Sequence, residues 1–170
     1  HMLPGIDDGP ETLTEALHMA RLAVENGIGR TIVTPHIHPG RYDNELTTIQ
    51  EAAERFRAAL AQEGIALEIG IAAEVRIGAE MMGLVEEGRI PWLGERDGER
   101  LMLLEFPHSH IPPGSDKLVR WLLARGVRPL IVHPERNKDV IRDFGKIIPF
   151  VEAGALLQVT AGAVTGGFGP

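Results

Sequence analysis

Four acidic or imidazole side chains recur at one place in a repeating pattern. Thr34-Pro35-His36, Ala73-Glu74-Val75, Leu104-Glu105-Phe106-Pro107 and Val132-His133-Pro134-Glu135-Arg136 each end or follow a short apolar run. A carboxylate or imidazole beside a core is costly to bury alone, and a divalent ion is an efficient partner for it. Singly, each residue has a plainer reading. His36 reads as a turn residue after Thr-Pro, Glu74 and Glu105 as solvated strand ends or salt-bridge partners, and His133 as a hydrogen-bonded buried histidine. At the same topological position they read together as a metal site. A ligand set of imidazole and carboxylate without sulfur suits Mn, Fe or Zn and disfavours copper and iron–sulfur centres. Arg136 follows His133 by three residues, and its guanidinium can grip a phosphate through two parallel hydrogen bonds. Its alternative is an exposed arginine paired with Glu135. Near the start, His1 and the pair Asp7-Asp8 precede Gly9-Pro10. The two carboxylates read either as a helix N-cap cluster or as a further oxygen ligand. His38 stays open between loop residue and site contact, His108 and His110 read as exposed loop residues, and His18 as surface or packing.

Short strands alternating with helices must position these groups. Leu13, Ala16, Leu17, Ala20 and Val24 keep one helical face, closed by Asn26-Gly27, with Pro10 in the first turn and Asp8 or Gly9 as cap. Leu46, Ile49, Ala53, Phe56 and Leu60 mark a second helix, capped by Asp43 or Asn44 and ended at Gly64. Residues 79–87 and the stretch around Leu118, Val119, Leu122 and Leu123 read as further helices. Residues 138–153 read as mostly helical with an interruption near Pro149. Strands are expected over residues 31–34, 67–75, 101–104, 129–132 and 156–160, with a hairpin turn at Arg96-Asp97-Gly98-Glu99. Short apolar strands separated by helices predict a parallel sheet or barrel of βα units, whose strand C-termini share one face.

Composition narrows the classes. The 170 residues suit one domain, and 44% hydrophobic content supplies a core. A net charge of −7 without a basic run argues against nucleic acid and anionic membranes. No uncharged run approaches the length of a membrane span, and Leu3 to Pro10 reads as an acidic turn rather than a secretory segment. There is no cysteine, which excludes disulfides, thiolate–zinc sites and thiolate nucleophiles and fits a reducing, cytoplasmic compartment.

Taken in order, Leu3-Pro-Gly-Ile-Asp-Asp-Gly-Pro10, Thr34-Pro-His36, the Ala-Glu-Val-Arg of residues 73–76, Leu104-Glu-Phe-Pro107, His133-Pro-Glu-Arg136 and Leu157-Gln-Val-Thr-Ala-Gly162 resemble the PHP (polymerase and histidinol phosphatase) superfamily. The narrower likeness is to the bacterial tyrosine-protein phosphatases of capsular and exopolysaccharide loci. The resemblance implies that residues 1–170 are a single PHP domain, a distorted TIM-like (β/α) barrel truncated at both ends. A barrel of this kind takes about 250 residues. It also implies a multinuclear centre, usually manganese. His1 matches the second His of a His-x-His motif; Asp8, His36, Glu74, Glu105 and His133 match metal ligands; Arg136 matches the phosphate-binding arginine. The first His of that motif and a later Ser-Asp-Ala-His segment have no counterpart here.

The implied activity is dephosphorylation of phosphotyrosine on a partner tyrosine autokinase. On this reading divalent ions held by Glu74 would supply a hydroxide for in-line attack, with Glu74, His133 and Arg136 as the expected catalytic set. A homo-oligomer is compatible with this reading. Two other readings compete with it: a PHP phosphoesterase for a small metabolite such as histidinol phosphate, and a catalytically incomplete fragment that binds a partner.

Overall fold

In the computed structural model, which describes residues 1–167, the first helix begins at Thr12. The Thr12 hydroxyl accepts the Glu15 N–H at 3.2 Å, and the Glu15 carboxylate accepts the Thr12 N–H at 3.0 Å. This reciprocal capping box satisfies two donors that a helix start leaves open. The cap expected at Asp8 or Gly9 is thereby corrected. Residues 5–10 fold as a separate turn, in which Gly5 N–H donates to Pro10 C=O at 2.9 Å and Gly9 N–H to Asp7 at 3.0 Å. Helix α1 (Leu13–Glu25) buries Ala16, Leu17 and Ala20.

The chain divides into two compact units: residues 1–74 with 79–93, and residues 75–78 with 94 onward. In the first unit, strand β1 (Arg30–Val33) pairs in parallel with β3 (Glu68–Ile71), with Val33 opposite Ile71. Each strand breaks for two residues and then resumes. After Thr34-Pro35 comes β2 (His36–Ile37); after Ala72-Ala73 comes β4 (Glu74–Arg76). Pro35 has no N–H to offer a ladder, but its carbonyl accepts the Glu74 N–H at 3.0 Å. The single strand expected over residues 67–75 is therefore two. His36 and Glu74 stand at the starts of the resumed strands, beside each other.

Helix α2 (Leu46–Gln62) lays Ile49, Ala53, Phe56 and Leu60 into the core of this unit. Complete burial of Phe56 contributes roughly 1.5–3 kcal/mol. Its cap is Glu45, whose N–H donates to the Thr48 hydroxyl at 2.9 Å, and not Asp43 or Asn44. Both of those side chains are engaged elsewhere. Helix α3 (Glu80–Glu86) completes the unit and buries Met81 and Val85.

The second unit is built on a sheet. Strand β5 (Gly94–Arg96) turns through Asp97 and Gly98, both at positive φ (55° and 79°), into antiparallel β6 (Glu99–Glu105). Two successive left-handed residues make the tight primed turn that hairpins favour, and Asp-Gly is the pair that tolerates it. Helix α4 (Ser115–Leu123) follows, burying Val119 and Leu122, and β7 (Val127–Val132) returns parallel to β6 with Glu105 opposite Val132. Past a one-turn 3-10 helix at Pro134–Arg136 lies α5 (Lys138–Arg142), then α6 (Ile148–Glu152) and β8 (Leu156–Gln158), parallel to β7. The helical stretch breaks at Asp143 and, after a 3-10 turn at Phe144–Lys146, again at Ile147, two residues before Pro149. Pro149 sits in the first turn of α6, where its missing N–H costs nothing. A final turn, α7 (Ala161–Val164), follows.

The observed class is thus α/β with mostly parallel strands. In the second unit Ile141, Phe144, Val159 and Val164 stay exposed and line an open apolar groove of about 450 Å³. Among the described residues, no helix is long and apolar enough to cross a membrane.

Candidate functional site

The strand break in the first unit brings His1, Asp7, Asp8, His36 and Glu74 together. Asp7 organises the group. Its fully buried carboxylate accepts from His1 Nδ1 at 2.5 Å, from Gly9 N–H at 3.0 Å and from His36 N–H at 3.1 Å. The other ring nitrogen of His1, Nε2, lies 3.0 Å from the Glu74 carboxylate. Asp8 Oδ1 sits 3.5 Å from His36 Nε2 and 3.6 Å from His1 Nδ1. The His1 and His36 rings lie 4.5 Å apart between centroids, and the Tyr42 ring stacks on His36 at 5.6 Å with an interplanar angle of 11°.

These contacts move protons. Hydrogen bonds to Asp7, then to Glu74, hold the His1 imidazolium so firmly that its pKa is pushed up to about 10, against the opposing effect of burial. Burial pushes the Asp7 carboxyl up, but the His1 hydrogen bond and the backbone N–H groups of Gly9 and His36 outweigh it and hold the group below the usual carboxylate range. Burial lowers His36; Glu74 draws it back up only in part, and the charge of His1 lowers it further.

The His1 shift has a stability consequence in the metal-free protein. A histidine raised from 6.5 to about 10 on folding contributes stability that is fully present below pH 6.5 and is lost as pH rises through 10. Urea melts of wild type and His1→Gln are expected to differ at pH 6 and to converge by pH 10–11. A gap that is constant across that range overturns this account of His1.

The second unit also carries polar groups of this kind. Glu105, at the end of β6, is almost wholly buried and takes Arg76 Nη2 on Oε2 at 3.1 Å, while His133 Nε2 is 4.0 Å from Oε1. His133 has φ 36° and ψ 50°, a left-handed conformation uncommon outside glycine and costly for a histidine. Its N–H is tied to Gln158 C=O at 2.8 Å. His108 joins this cluster with its ring 5.6 Å from that of His133, so it is not merely an exposed loop residue. Arg136 ends the 3-10 turn that follows His133, its N–H donating to His133 C=O at 2.9 Å. Glu135, its alternative partner, accepts the Thr160 N–H at 3.0 Å. Buried Asn137 bonds Pro107 C=O at 2.7 Å and caps α5 through Asp139 and Val140.

Both clusters fit divalent ions. In His1–Asp8–His36, and again in Glu105–His108–His133, one ligand atom from each residue lies within 4.8 Å of the others. Two ligands of one ion at about 2.0–2.2 Å lie roughly 3–4.4 Å apart, depending on the angle between them, so the groups need only draw together to hold one. The 3.0 Å between His1 Nε2 and Glu74 is already the spacing of two ligands of one ion at about 2.1 Å and a right angle. For an ion held at His1 Nε2, Asp7 on the far nitrogen would complete a carboxylate–histidine–metal arrangement.

Four participants are not marked by sequence alone. Asp7 reads only together with Asp8, His108 as a loop residue, Arg76 as part of its motif and Asn44 as a cap. Asp7, at least, had a signal: a second carboxylate beside a ligand carboxylate in a Gly-Pro turn.

An α/β fold that gathers imidazole and carboxylate groups at its strand ends, without cysteine, has the donor set to hold divalent ions without sulfur. All 170 residues match the family described as capsular polysaccharide synthesis, CpsB/CapC, and the chain belongs to that family. This bears out the resemblance to the capsular branch.

The tyrosine-protein phosphatase YwqE of Bacillus subtilis is 35% identical over 169 residues, covering 99% of this chain. CapC of Staphylococcus aureus is 28% identical, also over 99% of this chain, and the tyrosine-protein phosphatase CpsB of Streptococcus agalactiae is 21% identical over 95%. The chain spans 65% of the length of each of these relatives. A solved structure from the work on YwqE of B. subtilis and CpsB of Streptococcus pneumoniae, described as unique metal-dependent tyrosine phosphatases, matches all of this chain and 68% of its own, with TM-score 0.88 and 35% identity.

Proposed function

We propose that this chain carries the site of a metal-dependent protein-tyrosine phosphatase, a phosphoric monoester hydrolase acting on phosphotyrosine proteins in capsular or exopolysaccharide biosynthesis. The observation that carries this reading is a pair of sulfur-free ligand clusters, His1–Asp8–His36 and Glu105–His108–His133, in a chain without cysteine. The activities named for YwqE and CpsB support it. The finer proposal is a multinuclear, manganese-loaded centre with Glu74 as a further ligand, in a cytoplasmic PHP domain of distorted barrel form that acts on a tyrosine autokinase.

Divalent ions at these residues would supply Lewis acidity and a water acidic enough to deprotonate near neutral pH. The chain's own groups do the rest. Asp7 fixes the ring of His1, and Arg76 holds the Glu105 carboxylate in place. Arg136 binds the phosphoryl oxygens through its paired N–H donors and offsets their charge during transfer. The phenol of tyrosine, with a pKa of about 10, leaves far more readily than an aliphatic alcohol. No covalent phosphoenzyme is required, and the thiolate route is closed to a protein without cysteine.

The test is a substrate panel on Mn²⁺-loaded protein, comparing a phosphotyrosine peptide with histidinol phosphate and sugar phosphates. Preference for the aryl phosphate, lost on chelation and restored by Mn²⁺, is the expected result. Preference for histidinol phosphate moves the site to small metabolites. Metal binding with no turnover of any of them moves it to a partner-binding role.

A further inference from the structure

Asn44 stands just before α2, where its residue type suggests a helix cap, yet the cap is Glu45 and the Asn44 side chain points to other work. Its amide nitrogen uses both hydrogens. One donates to Ile6 C=O at 2.8 Å and the other to His36 C=O at 2.9 Å. Ile6 C=O belongs to the peptide that leads into Asp7-Asp8, and His36 is itself one of the clustered ligand residues. A single side chain 38 residues from one partner and 8 from the other thus ties the two ligand-bearing segments together. Asp7 grips the opposite side of the same residue by accepting the His36 N–H at 3.1 Å. The His36 backbone is therefore held at both its donor and its acceptor.

The loop that delivers Asn44 is closed by its own pair of bonds. His38 N–H donates to Tyr42 C=O at 2.9 Å and Tyr42 N–H to His38 C=O at 2.8 Å. Gly40 makes the bend at φ 80°, with its N–H on Asp43 at 2.7 Å. Tyr42 then lies flat against the His36 ring.

We propose that Asn44 is a positioning residue for the His1–Asp8–His36 cluster: its amide ties the Asp7-Asp8 turn to His36 and so sets the spacing of the ligand atoms. Two carbonyl acceptors converging on one nitrogen need a group with two donors and no negative charge. A carboxylate of the same shape would repel both carbonyls, and alanine would leave both segments to drift. Metal ligands tolerate misplacement of about 0.5 Å, and removing outer partners of ligands typically costs 10–100-fold in metal affinity. The inference rests on the metal-dependent reading of this site, but not on its substrate.

The test is calorimetric titration of Mn²⁺ into metal-free wild type, Asn44→Asp, Asn44→Ala and a control, Leu60→Ala, with a thermal melt of each. Leu60 lies in the buried face of α2, remote from the ligand residues in sequence. The Asn44 variants are expected to bind Mn²⁺ 10–100-fold more weakly and to change the visible absorption of the Co²⁺-loaded protein. Leu60→Ala is expected to lower the melting temperature with neither change. If Asn44→Asp and Asn44→Ala do not fold, Asn44→Ser, which keeps one short donor, is read the same way. Affinity within twofold of wild type in a folded Asn44 variant, or a loss matched by Leu60→Ala, overturns the inference while the metal-dependent reading stands. A wild type that takes up no Mn²⁺ overturns both. Mn²⁺ binding that depends on Asn44 but comes with no phosphatase activity supports the inference and removes the phosphatase reading alone.

Discussion

Replacing His133 by alanine is expected to reduce hydrolysis of an aryl phosphate by more than about 100-fold, together with a fall in bound metal. Outer partners of metal ligands already cost 10–100-fold when removed, and His133 stands in the ligand cluster itself, with Glu105 and His108. Its backbone adds weight to the assignment. A histidine at φ 36°, pinned by Gln158 C=O at 2.8 Å, holds a conformation that costs on the order of 1–3 kcal/mol. Asparagine enters the left-handed region more readily than other non-glycine residues, so His133→Asn separates loss of the imidazole from loss of the backbone. Both variants are expected to lose turnover and metal, read by p-nitrophenyl phosphate hydrolysis and by elemental analysis. Full activity in either would sink the assignment of His133.

Arg136→Ala is expected to lower kcat/KM for a phosphotyrosine peptide by roughly 10²–10³-fold, the usual loss when a preorganised donor to transition-state charge is removed. In contrast to His133→Ala, metal content should not change. The one-turn helix that carries Arg136 is held by backbone bonds, Arg136 N–H to His133 C=O and Asn137 N–H to Pro134 C=O, which survive truncation of the side chain. Arg136→Lys should recover only part of the loss, because an ammonium restores the charge but not the planar pair of donors. Steady-state kinetics on the three proteins decide it. Equal kcat/KM in Arg136→Lys and wild type would show a point charge to be enough and would remove the bidentate grip.

Much of this was legible in sequence wherever a local period governed the outcome. The apolar spacing of Ile49, Ala53, Phe56 and Leu60 marks the buried face of α2, and Asp97-Gly98 marks the hairpin. Glu74, Glu105, His36 and His133 stood out because polar groups interrupt apolar runs. Other features depended on partners that no local pattern reveals. Asp7 meets His36 across 29 residues, and Asn44 meets Ile6 across 38. His108 carries no periodic signal and joins Glu105 and His133 only once β6 and β7 are paired. The caps moved for a related reason: Asp8 and Gly9 lie in a turn that Asp7 closes, and Asn44 is committed to tertiary bonds, so Thr12 and Glu45 start the helices instead. The break at Ala72-Ala73 left no mark, because two small apolar residues read as strand. Its counterpart after β1 contains Pro35, which can be read.

The open groove of the second unit bears on colloidal behaviour. At low ionic strength a net charge of −7 keeps molecules apart. Near physiological salt the reach of that repulsion shrinks to about 8 Å. Encounters are then decided by short-range surface chemistry, in which Phe144 and Val164, 68% and 79% exposed, are unshielded. The same apolar contacts strengthen as sulfate or phosphate is added. The chain is therefore expected to salt out as sulfate or phosphate is raised.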